Sequence, residues 1–162
     1  MKAKWMLGSW VAVLFWVCGC GGNSPGPSLG PSSGGTVHAA GFTNANFIGG
    51  YGFVSNGSSF LLSSASSGVL TADGNGNLIS GEETVNNGLM SCHGTFSGTY
   101  SINANGTGTA ITHGVLDAPS IAAGCRNGGT SHYSLALSNG GSQVAFAEQD
   151  LTLVSSGIAT KQ

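Results

Sequence analysis

Charge is the scarcest property of this chain, which has 4 Lys and Arg and 6 Asp and Glu among its 162 residues, 6% charged in all. Lys2 and Lys4 stand at its start, and only Arg126 and Lys161 follow. No basic patch can be assembled from these, which removes nucleic acid as an expected partner. A disordered chain that resists collapse relies on charge and low hydrophobicity, whereas this one is 40% hydrophobic, so a folded core is expected. Tryptophan is absent beyond Trp16. No apolar run reaches the ~20 residues that a helix needs to span a bilayer, and no stretch sustains an apolar period of 3.6. Cys-x-x-Cys, Gly-x-Gly-x-x-Gly and phosphate-loop patterns are also missing, so redox, dinucleotide and nucleotide chemistry lack their usual signatures. Serine is so abundant that no single one stands out as a nucleophile.

At the start, Lys2 and Lys4 precede the apolar run Trp5–Val17, the arrangement of a secretory signal. The run ends in Val17-Cys18-Gly19-Cys20, which resembles the lipobox of bacterial lipoproteins. That resemblance implies cleavage before Cys20, a diacylglyceryl thioether on its sulfur and an acylated amino group. It implies a cell-envelope protein held by a lipid anchor, with the outer membrane favoured because Gly21 follows the cysteine in place of the Asp that marks inner-membrane retention. The other reading is an ordinary signal peptide without a lipid. Several acyl chains together give stable anchoring, each buried methylene contributing about 0.8 kcal/mol.

The boundaries expected are a signal peptide over 1–19, a lipidated cysteine and tether over 20–45, and a β domain over 46–162. The tether holds three of the 4 prolines with many Gly and Ser residues and no charge, the composition of a flexible or partly extended linker. Beyond it, short period-two runs alternate with Asn56-Gly57, Asp73-Gly74, Asn87-Gly88, Asn105-Gly106 and Asn139-Gly140. These dipeptides tolerate the positive φ of tight hairpin turns. They delimit eight strands near 49–55, 59–72, 77–86, 93–103, 107–116, 130–138, 142–148 and 150–160. Only the Asp117–Gly129 connection is long, so the topology expected is an antiparallel meander. Closure removes its two unpaired edges. The fold class is therefore an all-β, eight-stranded up-and-down β-barrel, lipocalin-like in shape, with a two-sheet β-sandwich as the alternative.

Alternation assigns the inward face to Tyr51 and Phe53; Phe60, Leu62 and Leu70; Ile79 and Val85; and Phe96, Tyr100 and Ile102. In the later strands it assigns Ile111 and Val115; Tyr133, Leu135 and Leu137; Val144 and Phe146; and Leu151 and Leu153. In an exported protein Cys92 and Cys125 read as a disulfide: an eight-stranded meander puts the third and fifth turns, which carry them, at the same end.

The stretches Gly49-Gly-Tyr-Gly-Phe53, Gly68-Val-Leu-Thr-Ala-Asp-Gly-Asn-Gly-Asn77, Gly98-Thr-Tyr-Ser-Ile102 and Asn105-Gly-Thr-Gly-Thr109, with the terminal Lys161-Gln162, resemble a group of secreted bacterial β domains. These occur behind signal peptides or in tandem, and carry no assigned activity. Gly49-x-Tyr51 is also similar to the Gly-x-Trp of the first lipocalin strand, with Tyr in the place of Trp.

Asp73-Gly-Asn75-Gly-Asn77 has oxygens at alternate positions like a calcium loop, but Leu78 and Thr84 stand where that loop needs Gly and Glu, so a hairpin turn is expected. His93, His113 and His132 all fall near the end that carries the disulfide. The parity that points His113 inward points the other two outward, so separate rim histidines are expected rather than a zinc or copper site. No metal and no cofactor is called for. Glu83 shares inward parity with Val85 and faces His113 as a hydrogen-bonded pair or, in an enzyme reading, as acid and base. Arg126 is a loop residue that can meet solvent or an anionic group.

The expected function is a non-catalytic binding or envelope-interaction barrel at the membrane, taking a small apolar ligand or an envelope component. Tyr51, Phe53, Phe60, Glu83, Phe96, Tyr100, His113 and Tyr133 are the candidate pocket. The alternatives are a small barrel enzyme using Glu83 and His113 on a hydrophobic ligand, and a structural or adhesive surface domain.

Overall fold

The computed structural model describes residues 41–59, 62–126, 128–151 and 154–162. The signal segment, Cys20 and most of the tether lie outside the described residues, as do Phe60 and Leu153. The strands are β1 (Ile48–Ser59), β2 (Leu62–Asp73), β3 (Asn77–Asn86), β4 (Ser91–Ile102), β5 (Thr107–Leu116), β6 (Thr130–Ser138), β7 (Gln143–Glu148) and β8 (Val154–Lys161). Each pairs antiparallel with the next and β8 pairs back onto β1, closing an eight-stranded barrel. Closure excludes the sandwich. One helix, α1 (Ala118–Ala122), sits in the long β5–β6 connection.

The turn chemistry explains most boundaries. The Asp73 carboxylate accepts the amides of Asn75 and Asn77 at 2.7 and 2.9 Å and the Asn77 side-chain amide at 2.7 Å, which commits it to the β2–β3 turn. Asn139 and Gly140 take φ of 51° and 68°, the left-handed pair that a tight hairpin needs. Asn56-Gly57 departs from expectation. β1 runs through it, pairing Gly57 with Ser64 of β2 and Ser155 of β8. Glycine is needed there for close approach: a Cβ would lie 2.6 Å from the Val154 carbonyl oxygen.

The start of β3 and the whole of β5 turn the opposite face inward from the one that hydrophobicity assigns, while Val85, beyond the β3 irregularity, keeps its expected inward face. In β3 an irregularity between Leu78 and Gly81 inserts an extra residue against β4, and such a bulge flips the alternation. Leu78 is buried and Ile79 is 60% exposed. In β5 the inward set is Gly108, Ala110, Thr112, Gly114 and Leu116, while Ile111 and Val115 face out. Leu62 and Leu151 are exposed as well.

The two ends of the barrel differ. At the end bearing the β2–β3, β4–β5 and β6–β7 turns, a 3₁₀ turn at Asn44–Asn46 brings Phe47 under the strands. Phe47 packs its ring 4.9 Å from Tyr51 and 4.8 Å from Tyr100. The Tyr51 hydroxyl donates to the Gly141 carbonyl at 2.6 Å and the Tyr100 hydroxyl to that of Phe47 at 2.6 Å. The Ile102 amide donates to the Asn44 side-chain oxygen at 2.8 Å, so the fold begins before residue 46. Phe42 to Phe47 form a plug. Every strand pairing, the plug and the disulfide lie within Val37–Gln162, a compact unit that carries its own core and closure.

Candidate functional site

The other end opens on a cavity of about 390 Å³ inside the barrel, within the range of about 300–1,000 Å³ typical of small-molecule sites. Its floor is Phe47, Leu78, Ala110, Leu135, Val144 and Ala159, and its walls include Phe53, Leu70, Val85, Phe96, Tyr133 and Phe146. Polar groups are few: Ser55, Glu83, Thr112, Ser131 and Ser155 face it, and Arg126 stands at the rim.

Strand register accounts for this empty centre. Phe53 is paired with Gly68, Phe96 with Gly81, and Phe146 with Gly157. In each pair the ring lies over the glycine on the adjacent strand. A Cβ on Gly68 would meet the Phe53 ring at 2.7 Å, one on Gly157 the Phe146 ring at 2.6 Å, and one on Gly81 the Phe96 ring. Glycine opposite an aromatic is a known cross-strand arrangement, and here it lets three rings lie along the wall. They meet edge-on, with centroids 6.1 Å apart for Phe53–Phe96, 6.0 Å for Phe53–Phe146 and 5.9 Å for Tyr133–Phe146. The small inward residues of β5 continue the same design, Gly114 lying opposite Phe96.

Of the sequence-derived pocket residues, Phe53, Glu83, Phe96 and Tyr133 line the cavity. Tyr51 and Tyr100 do not: they form the plug at the closed end. Phe60 lies outside the described residues. His113 sits on the outer face of β5, exposed, with Nδ1 2.9 Å from the Thr130 hydroxyl. The expected Glu83–His113 pairing is therefore not formed, because β5 turns its other face inward. His113 instead lines a shallow outer depression with Val69, Ile79, Glu82 and Val115.

Glu148 stands in the wall behind the site, its carboxyl beside Ser131 and Ser155, which line the cavity. It follows Val144 and Phe146 at the inward parity of β7 and pairs across the sheet with Tyr133. Its Oε2 is buried without a hydrogen-bond partner among the described residues. Burial pushes its carboxyl above the ordinary value of 4.5, the Ser131 and Ser155 hydroxyls oppose that shift, and the charges of Asp150 and Glu83 add to it. Burial, reinforced by the Glu148 and Glu83 charges, pushes the Tyr133 phenol up to about 12.

The mouth is fastened by paired chemistry on two strands. Cys92 and Cys125 form a disulfide with Cα atoms 5.9 Å apart, tying the β5–β6 connection to β4. Beside it His93 Nδ1 lies 3.0 Å from Asp117 Oδ2, and the His93 amide donates to the Ser120 hydroxyl at 2.8 Å. Asp117 also caps α1 by accepting the Ser120 amide at 2.8 Å. On β6, the His132 amide donates to Asp150 at 2.9 Å, with the imidazole 3.0 Å from the same carboxylate. Hydrogen bonds from Ser120 and from the His132 amide hold Asp117 and Asp150 below the ordinary 3.8. His93 and His132 thus serve loop attachment. Among the described residues, no three His, Cys, Asp or Glu side chains converge as a metal site.

No protein-family model, no curated protein and no solved structure matches the chain. The functional reading therefore rests on the geometry of this cavity.

Proposed function

We propose that this protein is a lipid-anchored cell-envelope lipoprotein whose barrel binds a small, largely apolar ligand and performs no catalysis on it. The observation that carries the reading is the aromatic-walled cavity of about 390 Å³, open at one end and stoppered at the other. Its volume accommodates about a dozen water-sized groups at roughly 30 Å³ each. The lipobox-like Val17-Cys18-Gly19-Cys20 supports membrane anchoring through Cys20, and the Gly/Pro/Ser tether gives the barrel reach from the bilayer. The enzyme alternative loses its acid–base pair, since Glu83 and His113 lie on opposite sides of the wall.

Two measurements test the two halves of the reading. Native mass spectrometry of the disulfide-intact protein should show one small molecule retained or one added decanol taken up per chain; a bare mass at saturating decanol would contradict ligand binding. Metabolic labelling with an alkyne-tagged fatty acid should mark the full-length chain and fail on Cys20→Ser. Equal labelling of both would contradict the anchor.

A further inference from the structure

We propose that the polar end of the cavity selects a ligand whose apolar body carries one protonated amine, with Glu83 and Glu148 as the acceptors of its N–H groups. This inference rests on the ligand-binding reading and specifies its chemistry. Glu83 lines the lumen from β3, and Glu148 lies in the wall on β7 beside Ser131 and Ser155. The Glu148 Oε2 is an acceptor without a donor. A buried polar group left unpaired is costly, and the cost is relieved when a donor arrives.

Among the described residues, no cation of the protein is ion-paired with either carboxylate. The ion pairs there are the two His–Asp contacts at the mouth, and neither involves Glu83 or Glu148. Arg126 is exposed at the rim, and Lys161 lies at the closed end, its side chain over Gly49. An ammonium group supplies both the missing donor and the missing charge, in a site walled by Phe53, Phe96, Tyr133 and Phe146, whose ring faces also attract cations. An anionic head would place a third negative group beside two carboxylates, with only a solvent-screened guanidinium to favour it.

The test is isothermal titration at pH 7 of decylamine, decanol and decanoate, equal in chain length and different in head group. The titrant meets the disulfide-intact chain from Val37 to Gln162, alongside its Glu83→Gln, Glu148→Gln and double variants. Decylamine should bind the unaltered chain at least about tenfold more tightly than decanol or decanoate, the worth of one hydrogen bond to a charged group. In the double variant this advantage should fall to within about threefold while decanol affinity stays unchanged, which also shows that the cavity is intact. Equal affinities for all three heads, or a preference for decanoate, would overturn the amine assignment and leave the cavity as a binding site. Failure of all three probes to bind would overturn both readings.

Discussion

The two ends of this barrel are built from the same eight strands, yet one is solid and the other hollow. At the closed end Tyr51 and Tyr100 point inward from their strands, meet Phe47 edge-on and tilted respectively, and donate their hydroxyls to backbone carbonyls. At the open end Phe53, Phe96 and Phe146 lie against glycines and leave the centre free. Aromatic content alone therefore does not decide whether a barrel is filled. What decides it is the residue directly opposite on the next strand, because a glycine gives the ring somewhere to lie. The closed end holds the fold and the open end holds the site.

The largest effect should come from the closed end. Tyr51→Ala removes the most buried ring of the plug and is expected to cost about 3–5 kcal/mol in urea unfolding. Next is the disulfide, whose sulfurs join residues 33 apart in sequence. Replacing both Cys92 and Cys125 by Ser should cost about 2–4 kcal/mol. Hydrogen exchange in that variant should rise first over Asp117–Gly129 while β1 near Tyr51 stays protected; uniform loss of protection would erase the distinction between the ends. Gly81→Ala follows, at about 1–3 kcal/mol. The new methyl forces the Phe96 ring toward the lumen, so decanol affinity should fall with stability.

These expectations depend on features that differ in how readable they were. Turn dipeptides located four of the seven connections between strands, at Asp73-Gly74, Asn87-Gly88, Asn105-Gly106 and Asn139-Gly140, because positive-φ requirements are local and chemically narrow. The bulge between Leu78 and Gly81 was not readable, since nothing in Leu-Ile-Ser distinguishes an inserted residue from a regular one. β5 was assigned the wrong face because Ile111 and Val115 outweigh Ala110 and Gly114 in hydrophobicity. Its orientation is instead compatible with the Phe96 ring opposite Gly114, a constraint that comes from another strand. Glu148 was legible by parity with Val144 and Phe146, and extending the alternation by one step finds it.

The smallest effect is read through pH. Glu148 has its proton affinity raised by folding, so its contribution to stability is full below the ordinary 4.5 and is lost as pH rises through its higher value. Asp73, Asp117 and Asp150 have theirs lowered, so their contribution is present above 3.8 and lost as pH falls through their lower values. Glu148→Gln should therefore flatten the decline of the melting temperature on the high-pH side of 4.5 and leave the acid limb below 3.8 unchanged. A decline of the same steepness in the variant would assign it to another group.

The central claim, that the open end is a ligand site, is tested most directly by NMR titration of the Val37–Gln162 chain with decanol. Saturable amide shifts should gather around Phe53, Phe96, Tyr133 and Phe146, with Tyr51 and Tyr100 unmoved. Shifts confined to the outer depression around Val69 and Ile79, or no saturable shifts at all, would contradict it.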